Sequence, residues 1–292
     1  MDQAETLRKF GGSSRSETGP SPFILAVTSG KGGVGKSNVV SNLSCTLAQL
    51  GLSVLVMDAD MGLGNIDILL GLTPSYNMEH VLNGQMRAKD ILVEGPGGVR
   101  ILAASSGVQE LTNLTAEQKM VLVSELETMM DGVDVFLIDT GAGISSNVMY
   151  FNAMAQEVLI VVTPEPASIT DAYALMKVSA IRYGGKRFKI LLNTVKNQQE
   201  AHQIFSHLSM VTQRFLNLSL DMYGYVPLDP NVLKAIRQQK PVVQVFPHSQ
   251  ASRQFQQLAQ KVREEMKIYR SRNTGGGRMF WRDFLNHTGP RN

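Results

Sequence analysis

The chain has 292 residues, of which 43% are hydrophobic, with one cysteine and a formal net charge of +3. That length and apolar content suit one large α/β domain with short appendages and exclude a disordered chain. A single cysteine, Cys45, excludes an internal disulfide or thiolate cluster. It is expected as a small core residue. There is no apolar run long enough to span a bilayer and no basic-then-apolar leader, so a cytosolic protein is expected. The net charge is too small to argue for direct binding of nucleic acid.

Residues 1–10 form a short amphipathic segment, and 11–21, rich in Gly, Ser and Pro, read as a flexible spacer. Apolar runs then recur at 23–28, 53–57, 99–102, 133–138, 158–162, 188–192 and 222–226, mostly separated by helical patterns. Continuous apolar strands alternating with helices predict an α/β fold: a mostly parallel sheet, covered on both faces, within one domain over 22–270.

The first run meets Gly30, Lys31, Gly32, Gly33, Val34, Gly35, Lys36, Ser37 and Asn38, which fits the phosphate-loop pattern G-x-x-x-x-G-K-[ST]. The helical pattern of Val39, Val40, Leu43, Leu47 and Leu50 follows, giving the strand–loop–helix context that the motif requires. The loop amides and the helix start suit phosphate oxygens. Lys36 would reach the β/γ-phosphates and Ser37 would ligate Mg²⁺. A second lysine, Lys31, sits too early in the loop to hold a phosphate from the usual position. The next strand ends at Asp58 and Asp60, at the sheet edge where ligands bind in such folds. The run at 133–138 ends at Asp139, placed for the second acidic motif of phosphate-loop enzymes.

A second spacer, 271–277, precedes a cationic tail over 278–292. On a helix, Phe280, Trp281, Phe284 and Leu285 share one face. An aromatic face beyond a glycine linker, flanked by arginines, predicts an anchor on a membrane surface of anionic lipid.

The K-G-G-x-G-K-[ST] loop resembles the deviant phosphate loop of the MinD/ParA ATPases. That resemblance implies an ATP-bound homodimer that is a monomer with ADP, with Lys31 crossing to the partner's ATP. It also implies Asp60 as the residue orienting the attacking water, Asp58 at the hydration shell of Mg²⁺, and Asp139 at the metal. By the same resemblance, the segment after Asp139 is a switch loop and Glu165 contacts the nucleotide in trans. Asp171 would be the partner of Lys31 within the monomer, Asn193 would read the adenine, and Pro227 and Asp229 would lie in the loop covering it.

Asp2, Gln3, Ala4, Leu7 and Arg8 reproduce the D-Q-A-x-x-L-R signature of the MinD-like flagellar-number regulators called FlhG, FleN or YlxH. This resemblance implies stimulation of the FlhF GTPase by residues 1–10, through Gln3, Leu7 and Arg8. It further implies a flagellar C-ring switch protein or a flagellar transcriptional activator as partners, and association with the inner leaflet of the cell membrane when ATP is bound. The competing expectation is an ATPase of chromosome or plasmid partition, or of division-site placement. A metallocluster carrier is disfavoured because paired cysteines are lacking.

Overall fold

A computed structural model describes residues 21–60, 64–104, 114–183 and 187–272. The elements, in chain order, are β1 (Phe23–Ser29), α1 (Lys36–Gln49), β2 (Val54–Ala59), α2 (Ile66–Leu69), α3 (Met78–Leu82), β3 (Val93–Glu94), β4 (Arg100–Leu102) and α4 (Ala116–Glu127). Then follow β5 (Val135–Ala142), α5 (Ser146–Met154), β6 (Glu157–Val162), α6 (Pro166–Tyr183), β7 (Phe188–Val195), α7 (Gln198–Leu216), β8 (Leu220–Pro227), α8 (Pro230–Arg237), α9 (Val242–Val245) and α10 (Gln250–Arg272).

The strands form one sheet in the order β3-β4-β2-β5-β1-β6-β7-β8, parallel except for β3. All seven expected strands are present. The two-residue, antiparallel β3 was not expected, being too short for any periodic signal. The order turns at β1: the connection that leaves β1 runs to one side, towards β2, and the one that leaves β5 crosses to β6 on the other. A crevice opens at such a reversal, and the phosphate loop leaves β1 at that point.

The inner strands are apolar on both sides because both sides are covered. Leu25, Val27, Val56, Leu137 and Leu159 pack with α1 and α10, while Ile24, Ala26, Met57, Phe136 and Ile138 meet α3, α4 and α5. Ile160, Ile190 and Leu192 meet α6 and α7. Cys45 lies in the first of these cores, buried as expected.

Both ends of the described chain lie at the amino edge of the sheet, opposite the phosphate loop. Phe23, the first residue of β1, stacks against Tyr269 of α10 with ring centroids 5.9 Å apart. The next residue, Arg270, pairs with Asp134 (2.8 Å), just before β5. Helix α10 continues to Arg272, two residues into the expected spacer. No described helix is long and apolar enough to cross a membrane.

Candidate nucleotide site

Lys36 opens α1 and is buried, whereas Lys31, five residues earlier, is exposed at the rim of the same loop. Gly35 caps the helix in the left-handed region at φ 89°, and a β-carbon there would stand 2.5 Å from Asn193 Nδ2. Only glycine meets both conditions. Asn193, which ends the apolar part of β7, donates from Nδ2 to the Val34 carbonyl at 2.7 Å and so props the loop from beneath. Gly30 answers a second close approach, since its β-carbon would fall 2.1 Å from the Asp171 carbonyl carbon. The first turns of α6 are thereby pressed against the loop.

That packing decides the partner of Lys31. The expected partner was Asp171, but the structure pairs Lys31 Nζ with the Glu165 carboxylate. Asp171 lies under the loop, its backbone against Gly30, whereas Glu165 precedes α6 at the rim. The two side chains are 36% and 62% exposed, so this pair is weak and readily exchanged.

Two carboxylates stand on neighbouring strands beneath the loop. Asp58 of β2 is directly opposite Asp139 of β5, and both are buried. Their surroundings differ. Asp58 Oδ1 accepts from the Asp60 amide at 3.1 Å, and Oδ2 accepts from the amides of Asn65 (2.9 Å) and Ile66 (3.2 Å). It clasps both ends of the loop that leaves β2. Neither oxygen of Asp139 accepts a hydrogen bond of good geometry, its polar neighbours being the Lys36 ammonium and the Ser37 hydroxyl. Burial pushes the Asp58 carboxyl up, helped by the charge of Asp139 and opposed by the three amides. Burial likewise raises Asp139, against the pull of the Lys36 ammonium and the Ser37 hydroxyl.

A buried carboxylate with both oxygens unsatisfied, beside a hydroxyl, fits a hard divalent cation. Among the described residues no group of three or more His, Cys, Asp or Glu could hold a metal alone. The ion would therefore draw further oxygens from phosphate and water, as Mg²⁺ does.

Asp60 is half-buried at the mouth of the site, facing the last residues of β5: a β-carbon on Gly141 would stand 3.6 Å from its Oδ1. Thr140, between Asp139 and Gly141, donates its hydroxyl within a buried cluster. Its Oγ1 lies 2.9 Å from Thr28 Oγ1 and 2.9 Å from the Gly141 carbonyl, and Asn152 Nδ2 reaches Thr28 Oγ1 at 3.4 Å. This cluster joins the strand before the phosphate loop to the carboxyl end of β5 and to α5. Sequence reasoning missed it, because isolated Thr and Asn residues carry no pattern.

On the far side, Pro227 ends β8, and the Asp229 carboxylate caps α8 by accepting from the Asn231 amide at 2.9 Å. It also accepts from Ala251 N at 3.1 Å. Burial would raise this carboxyl, but those bonds, with Ser249 and Asn231, hold it below the usual range. Thr194, next to Asn193, has φ 57°, an unusual conformation for a β-branched residue and one that clusters at ligand sites. The structure thus brings Gly30 to Asn38, Asp58, Asp60, Asp139, Glu165 and Asn193 to the carboxyl edge around one loop, with Pro227 and Asp229 beyond them. Gln3, Leu7, Arg8, Phe280, Trp281, Phe284 and Leu285 lie outside the described residues, as do 61–63.

Residues 22–263 match the family model for ParA, described as NUBPL iron-transfer P-loop NTPase. The antiactivator FleN of Pseudomonas aeruginosa is 46% identical over 82% of this chain and 85% of its own length. The flagellum site-determining protein YlxH of Helicobacter pylori is 31% identical over 81% and 80%. The septum site-determining protein MinD of Pyrococcus horikoshii, solved in complex with Mg-ADP, superposes with a TM-score of 0.65 at 23% identity, covering 82% of this chain and 96% of that one. Iron transfer belongs to the family description and finds no paired cysteines here. With its phosphate loop, its paired strand-end aspartates and these two flagellar relatives, the chain belongs to the MinD/ParA family of P-loop NTPases, among its FleN/YlxH (FlhG) members.

Proposed function

We propose that this protein is an ATP-hydrolysing, dimerising switch that limits flagellar number. The observation that carries the reading is the division of labour between two lysines of one loop: Lys36 is buried beside Asp139, while Lys31 waits at the rim on an exchangeable carboxylate. A lysine so placed is free to leave Glu165 for an anion brought by a second subunit. The ATP-bound dimer then gains a contact that the ADP state lacks, which is what a nucleotide switch requires. The similarity to an antiactivator and to a flagellar site-determining protein supports the flagellar role.

In this reading the amides of Gly30 to Gly35 and the Lys36 ammonium bind the phosphates, and Asn38 and Asn193 complete the nucleotide contacts with Pro227 and Asp229 near the base. Ser37 and Asp139 would hold Mg²⁺, and Asp58 would steady its water shell while clasping the loop of Asp60. Bound there, Mg²⁺ supplies charge that offsets the phosphate oxygens. Asp60 orients the attacking water, and Lys31, with Glu165, acts across the dimer as a donated cation in the manner of an arginine finger. Residues 1–10 stimulate the FlhF GTPase through Gln3, Leu7 and Arg8. The ATP dimer engages a C-ring switch protein or a flagellar transcriptional activator, and the face of Phe280, Trp281, Phe284 and Leu285 holds it on the inner leaflet.

Two experiments test this. Deleting the gene should raise the number of flagella per cell, and Lys36→Ala should fail to restore it; an unchanged count would remove the flagellar role. A peptide of residues 1–20 should accelerate GTP hydrolysis by FlhF, with Gln3→Ala losing most of the gain. If neither the peptide nor the whole protein accelerates it, the FlhF assignment is wrong.

A further inference from the structure

We infer that the amino edge of the sheet is itself a membrane-facing surface, which lies flat on anionic lipid. Parallel strands require their connecting helices to run back, so α6 and α7 deliver their C-termini to this edge. Helix α10 arrives there too, running from the Ala251–Asp229 contact at the carboxyl edge to Tyr269 against Phe23.

Each of the three helices ends with an exposed apolar side chain beside arginine. Ile181 is 74% exposed and precedes Arg182; Phe215 is 65% exposed, with the Arg214 guanidinium 5.4 Å from its ring; Ile268 is 49% exposed, with Arg272 one turn on. Arg187, at the start of β7, adds a fourth exposed cation.

Basic residues at helix C-termini are commonplace because they offset the helix dipole. That explanation covers the arginines and leaves the bulky apolar neighbours unexplained. The pairing state also discriminates. Arg270 is held by Asp134, and Lys267 and Arg263 by Glu264, whereas none of Arg182, Arg187, Arg214 and Arg272 is in an ion pair among the described residues. Unpaired arginines interspersed with apolar side chains match an anionic bilayer interface, where the guanidinium meets headgroup phosphate and the apolar group enters the acyl boundary.

The place where the chain continues fixes the occupant. The described chain ends at Arg272 on this edge, and residues 273–292, containing Arg278, Phe280, Trp281, Arg282 and Phe284, follow it in sequence. The proposal rests on the reading of that segment as a bilayer anchor only for the choice of lipid over another partner. The edge then faces the bilayer while the carboxyl edge, with the nucleotide, faces away and stays open to a second subunit.

The test is cosedimentation of the full chain, with ATP and Mg²⁺, on phosphatidylglycerol vesicles and on neutral phosphatidylcholine vesicles. Each cation near an anionic surface is worth roughly fivefold in partitioning. Arg182→Glu with Arg187→Glu and Arg214→Glu, tail intact, should therefore lower binding to phosphatidylglycerol at least about tenfold, with ATP turnover and dimerisation unchanged. Ile181→Ser with Phe215→Ser should weaken binding without altering the charge. A chain ending at Gly277 separates the two ideas. If truncation abolishes binding and both edge variants bind like wild type, the anchor stands and the edge proposal is overturned. If truncation leaves binding intact and the arginine variant loses it, the edge holds and the anchor reading fails. Vesicle binding that the arginine variant leaves unmoved, alongside retention on duplex DNA that it abolishes, would also overturn the proposal.

Discussion

The two edges of one sheet treat buried charge in opposite ways. At the amino edge, the buried Lys189 ammonium is held by Glu265 at 2.7 Å and by Glu157 at 3.7 Å, and Tyr223 Oη donates to Glu265 at 3.1 Å. At the carboxyl edge, Asp139 is buried with both oxygens unsatisfied, and Asp58 stands beside it. The first arrangement is complete without a ligand and serves the fold. The second costs the fold stability until a cation and a polyphosphate arrive, which is how a binding site differs from a structural network.

The largest effect that sharpens this contrast is on turnover. Asp60→Ala should slow ATP hydrolysis by about 10²-fold or more while leaving nucleotide bound, the scale expected when a group orienting the attacking water is removed. Turnover within a few-fold of wild type in a phosphate-release assay would remove Asp60 as the water-orienting residue.

Stability should respond unequally at the two edges. Lys189→Met strands two carboxylates and should cost about 3–5 kcal/mol in urea unfolding. Asp139→Asn removes a buried carboxylate whose oxygens accept no hydrogen bond, although it also takes the counter-charge from Lys36, so it should cost the nucleotide-free fold much less than Lys189→Met while losing Mg²⁺-dependent nucleotide binding. A destabilisation by Asp139→Asn as large as that of Lys189→Met would break the comparison.

Titration gives a third check. Burial raises the Asp58 and Asp139 carboxyls, so the folded protein holds these protons more tightly than the unfolded chain does. Their contribution to stability is fully present below the unfolded value, near 4, and is lost as pH rises through the raised folded values. The Tm of the nucleotide-free protein should therefore fall between about pH 4 and about pH 8 on this account, and fall less in Asp139→Asn. The smallest effect belongs to Asp229, whose carboxyl is lowered. Its capping contribution is present above about pH 4 and fades as pH falls through the lower folded value. Asp229→Ala should cost about 1 kcal/mol at neutral pH, with the difference closing in acid.

The strands and the phosphate loop were legible because each is a local pattern: apolar runs of strand length, then glycines at fixed spacing before a helical period. Asp58, Asp60 and Asp139 were legible as strand-end acids. What the sequence did not show depends on the packing of distant segments. Glu165 rather than Asp171 faces Lys31 because Gly30 lets α6 press its backbone under the loop. Asn193 supports Val34 across 159 residues, and Thr28, Thr140 and Asn152 meet from three elements, with no spacing to announce them. That Asp58 spends both oxygens on backbone amides while Asp139 spends none depends on how the loop after β2 folds back, which no local pattern encodes.

The central claim is that Lys31 is poised at the rim for a second subunit's nucleotide, and light scattering on the Asp60→Ala protein tests it most directly. With ATP and Mg²⁺ the mass should double, with ADP it should remain that of a monomer, and adding Lys31→Ala should abolish the dimer while sparing much of the nucleotide binding. Dimers of equal abundance with ADP, or dimers that persist with ATP after Lys31→Ala, would contradict the account.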